Sequence, residues 1–223
     1  GLDVHKDSIV VGLALGGAEP VEVGRIVNDA SAVRRLVERL ARRHGRLAFA
    51  YEAGPCGYEL YRQLLSLGQS CLVVAPSLMP RRPGDRIKTD GRDARTLARL
   101  LRSVDLTAVW VPDTNHEAIR DLVRAREAAV CDYRAKRQQV TSFLLRQGRN
   151  FPGRKSWSKA HARWLAEQSF EHHAHHLVLQ EGLGAVRDTQ ERLIRIERAI
   201  TELAPGWSLM PVVEAIQAMR GIN

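Results

Sequence analysis

Nowhere does this 223-residue chain carry an uncharged apolar run of the roughly 20 residues that a membrane-crossing helix needs, and no secretory leader pattern opens it. A membrane partner is therefore not expected. Cysteine is sparse. Cys56, Cys71 and Cys131 stand in no CxxC pair, which predicts free thiols in a reducing compartment and argues against structural zinc. Gly16-Gly17 and Gly182-Leu183-Gly184 lack the GKS or GxGxxG surroundings of a phosphate-binding loop, so an actin-like ATPase is remote. Internal repeats and long low-complexity tracts are absent. Acid is scarce as well: 25 Asp and Glu face 34 Lys and Arg, a formal net charge of +9. That imbalance calls for a polyanionic partner, nucleic acid before an anionic membrane surface.

What remains is 44% hydrophobic, enough to build a core. Leu2–Val4, Ser8–Leu15 and Val21–Val27 read as three successive hairpin-linked strands. Asn28 to Ser31 offers helix-capping chemistry, and Val33, Leu36, Val37 and Leu40 follow at helical spacing up to Gly45. Leu47–Tyr51 predicts a fourth strand. Tyr58, Tyr61, Leu64 and Leu65 predict a second helix, stopped by Gly68, and Cys71–Val74 a fifth strand. A basic, proline-containing loop runs from Pro76 to Asp90, where Asp90 can cap a helix with the apolar face Ala94, Leu97, Leu100 and Leu101. Thr107–Val111 reads as a last edge strand before Pro112. Three strands, helix, strand, helix, strand is the order of a ribonuclease H-like α/β fold, with right-handed crossovers making the later pairs parallel.

Beyond Pro112 the period is helical throughout. Ile119, Leu122, Val123, Val130, Val140, Phe143 and Leu144 line one long Arg-rich helix, and residues 149–158 break it. Leu179, Leu183, Val186, Leu193, Ile196, Ile200 and Leu203 form a coiled-coil-like seam, suited to packing within the chain or to a homodimer or higher homo-oligomer. The organisation expected is a domain over 1–112 and a helical region over 113–223.

Against the general scarcity of acid, four carboxylates hold unusual positions. Asp3 lies inside an apolar strand, where a charge is costly unless paired or metal-bound. Glu52 ends the fourth strand, a neighbour of the first in the expected topology. Asp90 and Asp93, three apart at a helix start, share one helical face. Gathered together they would repel, and a divalent cation resolves the conflict. The plainer alternatives are helix capping by Asp90, dipole stabilisation of Asp93 and a solvent-facing Glu52.

GLDVHKD, YEAGPCGY, RIKTDGRDARTLARLL and VWVPD together resemble the DEDD transposases of bacterial insertion sequences, the bridge-RNA-guided recombinases. The likeness runs over nearly the whole chain and includes the segment from Trp157 to Leu165. It implies a RuvC-like N-terminal domain followed by a coiled-coil region. It implies that Asp3, Glu52, Asp90 and Asp93 form a catalytic tetrad binding Mg²⁺ or Mn²⁺. DNA and a structured guide RNA are the implied partners, and the bacterial cytoplasm, at the nucleoid, the implied location. Members of the family carry a further C-terminal domain with a serine nucleophile. This sequence stops near MRGIN, where that domain should begin, which predicts a fragment unable to complete recombination alone. None of Ser77, Ser103 or Ser142 is assigned that role.

Basic candidates follow from position. Arg81, Arg82, Arg86, Lys88, Arg92 and Arg95 lead into the Asp90–Asp93 pair and could track a phosphate backbone. Arg134 and Arg137 on the long helix, and Arg154 and Lys155 beside Trp157, are further nucleic-acid contacts, Trp157 being either a stacking surface or core. The run His172, His173, His175 and His176 reads as a surface cluster rather than a metal site. Two rival functions remain open: a metal-dependent, structure-specific nuclease acting on branched DNA, and a non-catalytic RNA-binding dimerisation module whose acids only cap helices.

Overall fold

The start of the chain forms three antiparallel strands, β1 (Leu2–Val4), the continuously apolar β2 (Ser8–Leu13), buried on both faces, and the alternating β3 (Val21–Val27). Helix α1 (Ala30–His44) follows. Its N-cap is Asp29, whose carboxylate accepts the Ala32 N–H at 2.7 Å. Strand β4 (Ala48–Glu52) then lies parallel beside β1, helix α2 spans Glu59–Ser66, and β5 (Ser70–Val74) pairs parallel with β4. The resulting mixed sheet has the order β3-β2-β1-β4-β5. The computed structural model describes residues 1–79 and 89–219, which fall into two units, Gly1–Val111 and Pro112–Asn223.

In the first unit the pleat sorts residues between two faces. Leu2, Ile9, Val11, Phe49 and Tyr51 enter a core completed by Val33, Leu36 and Leu40 of α1 and Leu60 and Leu64 of α2. Val10 and Ala50, on the opposite pleat, are just as deeply buried. That side is covered by helix α3 (Asp90–Arg102), which packs on β1, β2 and β4 through Ala94, Leu97, Ala98 and Leu100. The approach is very close. A Cβ on Gly12 would lie 2.4 Å from the carbonyl oxygen of Ala94, so only glycine lets the α3 backbone settle there. This contact fixes where the α3 N-terminus ends up.

Two expectations need correction in this unit. Asp90 is not the cap of α3: Thr89 is, without a side-chain hydrogen bond, and the Asp90 carboxylate is turned to Arg25 instead. Residues 107–111 form no strand, only an isolated bridge between Ala108 and Val74, because Pro112 and the short run leave too few ladder bonds. Helix α2 is as expected, with Leu60 and Leu64 buried, Tyr61 packed partly against the core and Leu65 45% exposed.

The second unit is helical among its described residues. Two long helices, α4 (Thr114–Arg146) and α6 (His173–Leu203), run antiparallel: Arg126 meets Glu197 at 2.7 Å and Arg192 meets Asp132 at 2.8 Å. A short helix α5 (Lys159–Ala166) lies between them in sequence, and α7 (Met210–Gln217) follows. Val140, Phe143, Leu144, Leu165, Leu179 and Val186 make a compact core at one end of the pair. Leu179 and Val186 of the seam are thus used within the chain, against α4. Further along, Ile194 and Leu203 are exposed, as is Val123 of α4.

Candidate metal and nucleic-acid site

The site is assembled by strand register. Asp3 is opposite Val10 on β2, and Val10 is opposite Arg25 on β3. On the other side, β1 and β4 pair at Leu2 and Tyr51, so continuing the register sets Asp3 beside Glu52. Because paired residues share a face, Arg25, Val10, Asp3 and Glu52 form one row across the sheet, on the side covered by α3. Leu2 and Tyr51, one position earlier, point into the opposite core.

The first turn of α3 delivers the remaining acids to this row. Arg25 donates from one guanidinium nitrogen to Asp90 Oδ2 at 2.6 Å and from another to Ser8 Oγ at 2.8 Å. His5 Nε2 lies 3.1 Å from Asp3 Oδ2 and 3.6 Å from Asp90 Oδ1, bridging the two carboxylates. Asp3, His5 and Asp90 each offer one ligand atom, all within 4.8 Å of one another, and they are the one such group among the described residues. The four expected acids therefore divide. Asp3 and Asp90 meet directly, Asp93 faces Asp3 closely enough to act on its charge, and Glu52 stands next to Asp3 by register. The histidine run from His172 forms no such group among the described residues; His175 packs against Phe143 and Phe170.

The electrostatics are uneven. Burial pushes the Asp3 carboxyl above its ordinary pKa; His5 opposes this, and the negative charges of Asp90 and Asp93 add to it. Asp90 moves the other way, held below the usual carboxylate range chiefly by the Arg25 hydrogen bond. Asp3 is thus a half-buried acid short of positive charge, while Asp90 already has a cation, supplied by the protein. Oxygen-rich surroundings with one imidazole fit a divalent cation, Mg²⁺ through the carboxylates and Mn²⁺ also through His5.

Sequence reasoning missed His5 and Arg25. His5 was hidden by its turn-like HKD setting, although its position two residues after Asp3 keeps the strand period. Arg25 sat in an ordinary alternating strand, and only the register across β2 reveals its link to Asp3.

Of the basic candidates, Arg81, Arg82, Arg86 and Lys88 lie outside the described residues. Arg92 and Arg95 project from α3 beside the acids, Arg95 Nε donating to the Gly91 carbonyl at 3.1 Å. Arg134, Arg154 and Lys155 are exposed on the second unit. Arg137 is different. Its guanidinium lies over two rings, 5.2 Å from the Tyr133 centroid and 4.9 Å from that of Trp157. Trp157 adopts φ 62°, and its backbone N–H donates to His161 Nδ1 at 2.8 Å. Burial and the Arg137 charge lower the His161 pKa, favouring the neutral ring that this acceptor role needs.

A Ser–His–Asp grouping also went unforeseen. Ser208 Oγ is 3.3 Å from His116 Nε2, and Asp113 Oδ1 is 2.9 Å from His116 Nδ1. Asp113 is occupied as the N-cap of α4, accepting the His116 N–H at 2.8 Å, and the His116 ring packs edge-on against Trp207. The grouping clasps the start of α4 to the segment after α6. Cys56, Cys71 and Cys131 are free thiols, as expected, and no described helix is long and apolar enough to cross a membrane.

A family model described as Transposase, the DEDD group of IS110, matches residues 1–147. The y4qE protein of Sinorhizobium fredii, provisionally named a transposase, is 47% identical over the whole chain, which spans 54% of that protein. The transposase for insertion sequence element IS1533 of Leptospira borgpetersenii is 32% identical, again over the whole chain, which spans 65% of it. The chain therefore covers between about half and two thirds of the relatives it matches, and it belongs to the IS110 family of DEDD transposases.

Proposed function

We propose that this chain is the part of a DNA transposase that holds a divalent cation at Asp3, Glu52, Asp90 and Asp93 and grips nucleic acid through its basic surface. The observation that carries the reading is the row of acids made by strand register and the α3 N-terminus, with Asp3 raised in pKa beside His5 and Asp90. The strand order β3-β2-β1-β4-β5, with two parallel pairs after an antiparallel meander, supports a ribonuclease H-like, RuvC-like fold for the first unit.

Mg²⁺, or Mn²⁺, is the cofactor of this reading, and when bound it supplies charge stabilisation to a phosphate under attack. Asp3 and Asp90 are its first ligands, with Glu52 and Asp93 completing the set and His5 within reach. Arg25 holds Asp90 in place when no cation does. Arg92 and Arg95, next to the acids on α3, orient the phosphate backbone, as do Arg81, Arg82, Arg86 and Lys88 ahead of them. In the second unit, Arg134, Arg137, Arg154 and Lys155 are its nucleic-acid contacts. DNA is the substrate and a structured guide RNA the second partner, with a homodimer formed through the exposed part of the helical seam. The serine nucleophile belongs to the remainder of a longer protein.

The test is strand transfer by a full-length transposase carrying this segment. Asp90→Ala should abolish transfer while leaving DNA and RNA binding intact; transfer at the parental rate removes the assignment. Cleavage of four-way DNA junctions by the 223-residue chain with Mg²⁺ alone would favour the nuclease reading instead.

A further inference from the structure

The second unit contains a cleft of about 690 Å³ between α4, α5 and α6. Its volume is that of a small-molecule site. Tyr133 and Trp157 form its aromatic wall, Leu183 and Gly184 line it on α6, and Glu181 and Arg187 stand among its polar groups. Behind the aromatic wall lies Arg137, stacked on both rings. Its Nε is fully buried without a hydrogen-bond partner, and no carboxylate pairs with its guanidinium among the described residues. A cation held in one place by two rings, with no protein carboxylate beside it, favours an anion close to the cleft.

We propose that this cleft receives one unpaired base of a structured RNA, stacked against Trp157 and Tyr133, with the adjoining phosphate drawn to Arg137 and Arg187. The proposal rests on the reading of the chain as a nucleic-acid-binding segment and names the partner of its helical half. Three observations select this occupant. The walls are aromatic and aliphatic, suited to the face of a base rather than to a phosphate. Glu181 repels a phosphate from the cleft itself but accepts from an exocyclic amine or a ribose hydroxyl. The positive charge is borne by Arg187 in the lining and by Arg137 behind the aromatic wall, so base and phosphate are met by different surfaces. A pocket for one splayed-out base is how proteins read loops of RNA, whereas duplex DNA keeps its bases stacked and out of reach.

Gly184 gives a clean test. A Cβ there would meet nothing within 4 Å, so Gly184→Leu starts from open space, extends into the cleft it lines and favours the helix. Binding of the chain to a fluorescent RNA hairpin with an unpaired loop is measured by anisotropy at fixed salt. A perfectly paired RNA duplex and a DNA hairpin of the same sequence serve as comparisons. Gly184→Leu should weaken looped RNA about tenfold, the loss of one stacked base, and leave the duplex unchanged. Arg137→Gln should weaken the looped RNA as well, with circular dichroism and melting checking that each variant folds. Equal affinity of parent and Gly184→Leu for looped RNA overturns the pocket alone. An equal loss for the DNA hairpin overturns the assignment to RNA. No binding of any nucleic acid by the parent chain brings down the pocket together with the reading beneath it.

Discussion

Asp3 and Asp90 are drawn in opposite directions by their surroundings, and each has its own signature. A carboxyl whose pKa is raised by folding binds its proton more tightly in the folded than in the unfolded chain. Its contribution is fully present below the unfolded value near 3.9 and is lost as pH rises through the higher folded one. Ionised Asp3 is therefore a burden at neutral pH, and a cation relieves it. Asp90, lowered by Arg25, contributes above its unfolded pKa and loses that contribution as pH falls through its folded one. Asp3→Asn should raise the melting temperature of the metal-free protein at pH 7 and remove the further rise produced by Mg²⁺, as read by calorimetry. Arg25→Gln should have another effect. It releases Asp90 from an exposed ion pair, so Mn²⁺ should bind more tightly by titration calorimetry. Weaker binding would show that Arg25 supports the cation rather than standing in for it. Asp3 was legible in sequence because a charge inside an apolar strand is costly, whereas Glu52, Asp90 and Asp93 were grouped with it by the family resemblance. Arg25 and His5 were not legible, because their roles depend on which strand neighbours which.

At the scale of elements, two glycines set two close approaches. Gly12→Ala should drive a methyl into the Ala94 carbonyl and push α3 off the sheet, costing at least about 2 kcal/mol in denaturant melts and lowering cation affinity with it. Gly182 and Gly184, two residues apart on α6, point to different sides of the helix and have different surroundings. A Cβ on Gly182 would lie 2.9 Å from a Val140 methyl, whereas one on Gly184 meets open space. Gly184→Ala should therefore stabilise the chain by about 0.5–1 kcal/mol, the ordinary helix preference for alanine. Gly182→Ala should gain less or turn destabilising, because Val140 must give way. Equal effects at both sites would mean that α4 and α6 pack less closely than described. Most elements were readable from periodicity alone, since Leu2, Ile9 and Val11, or Val33, Leu36 and Leu40, repeat at strand and helix spacing. The Asp90 cap and the strand over residues 107–111 failed for another reason. Local propensity favoured them, but Arg25 claimed the carboxylate and a single bridge to Val74 was all the sheet edge could take.

For the whole molecule, the net charge of +9 gives association with nucleic acid a strong salt dependence, whichever residues make the contacts. Replacing Arg134 or Arg154 should lower the salt slope by about one unit each and weaken all sequences alike, as filter binding at several salt concentrations would record. The helical half was readable as helices but not as a cleft, because Tyr133, Trp157 and Gly184 are brought together only by the antiparallel course of α4 and α6. The central claim is that β1, β4 and the start of α3 gather distant acids around a divalent cation. Anomalous diffraction from crystals of this chain soaked in Mn²⁺ tests it most directly. A peak about 2.1 Å from carboxylate oxygens of Asp3 and Asp90, lost in Asp90→Ala, is the expected result. A map with no peak between these side chains, or with manganese bound only elsewhere on the protein, would contradict it.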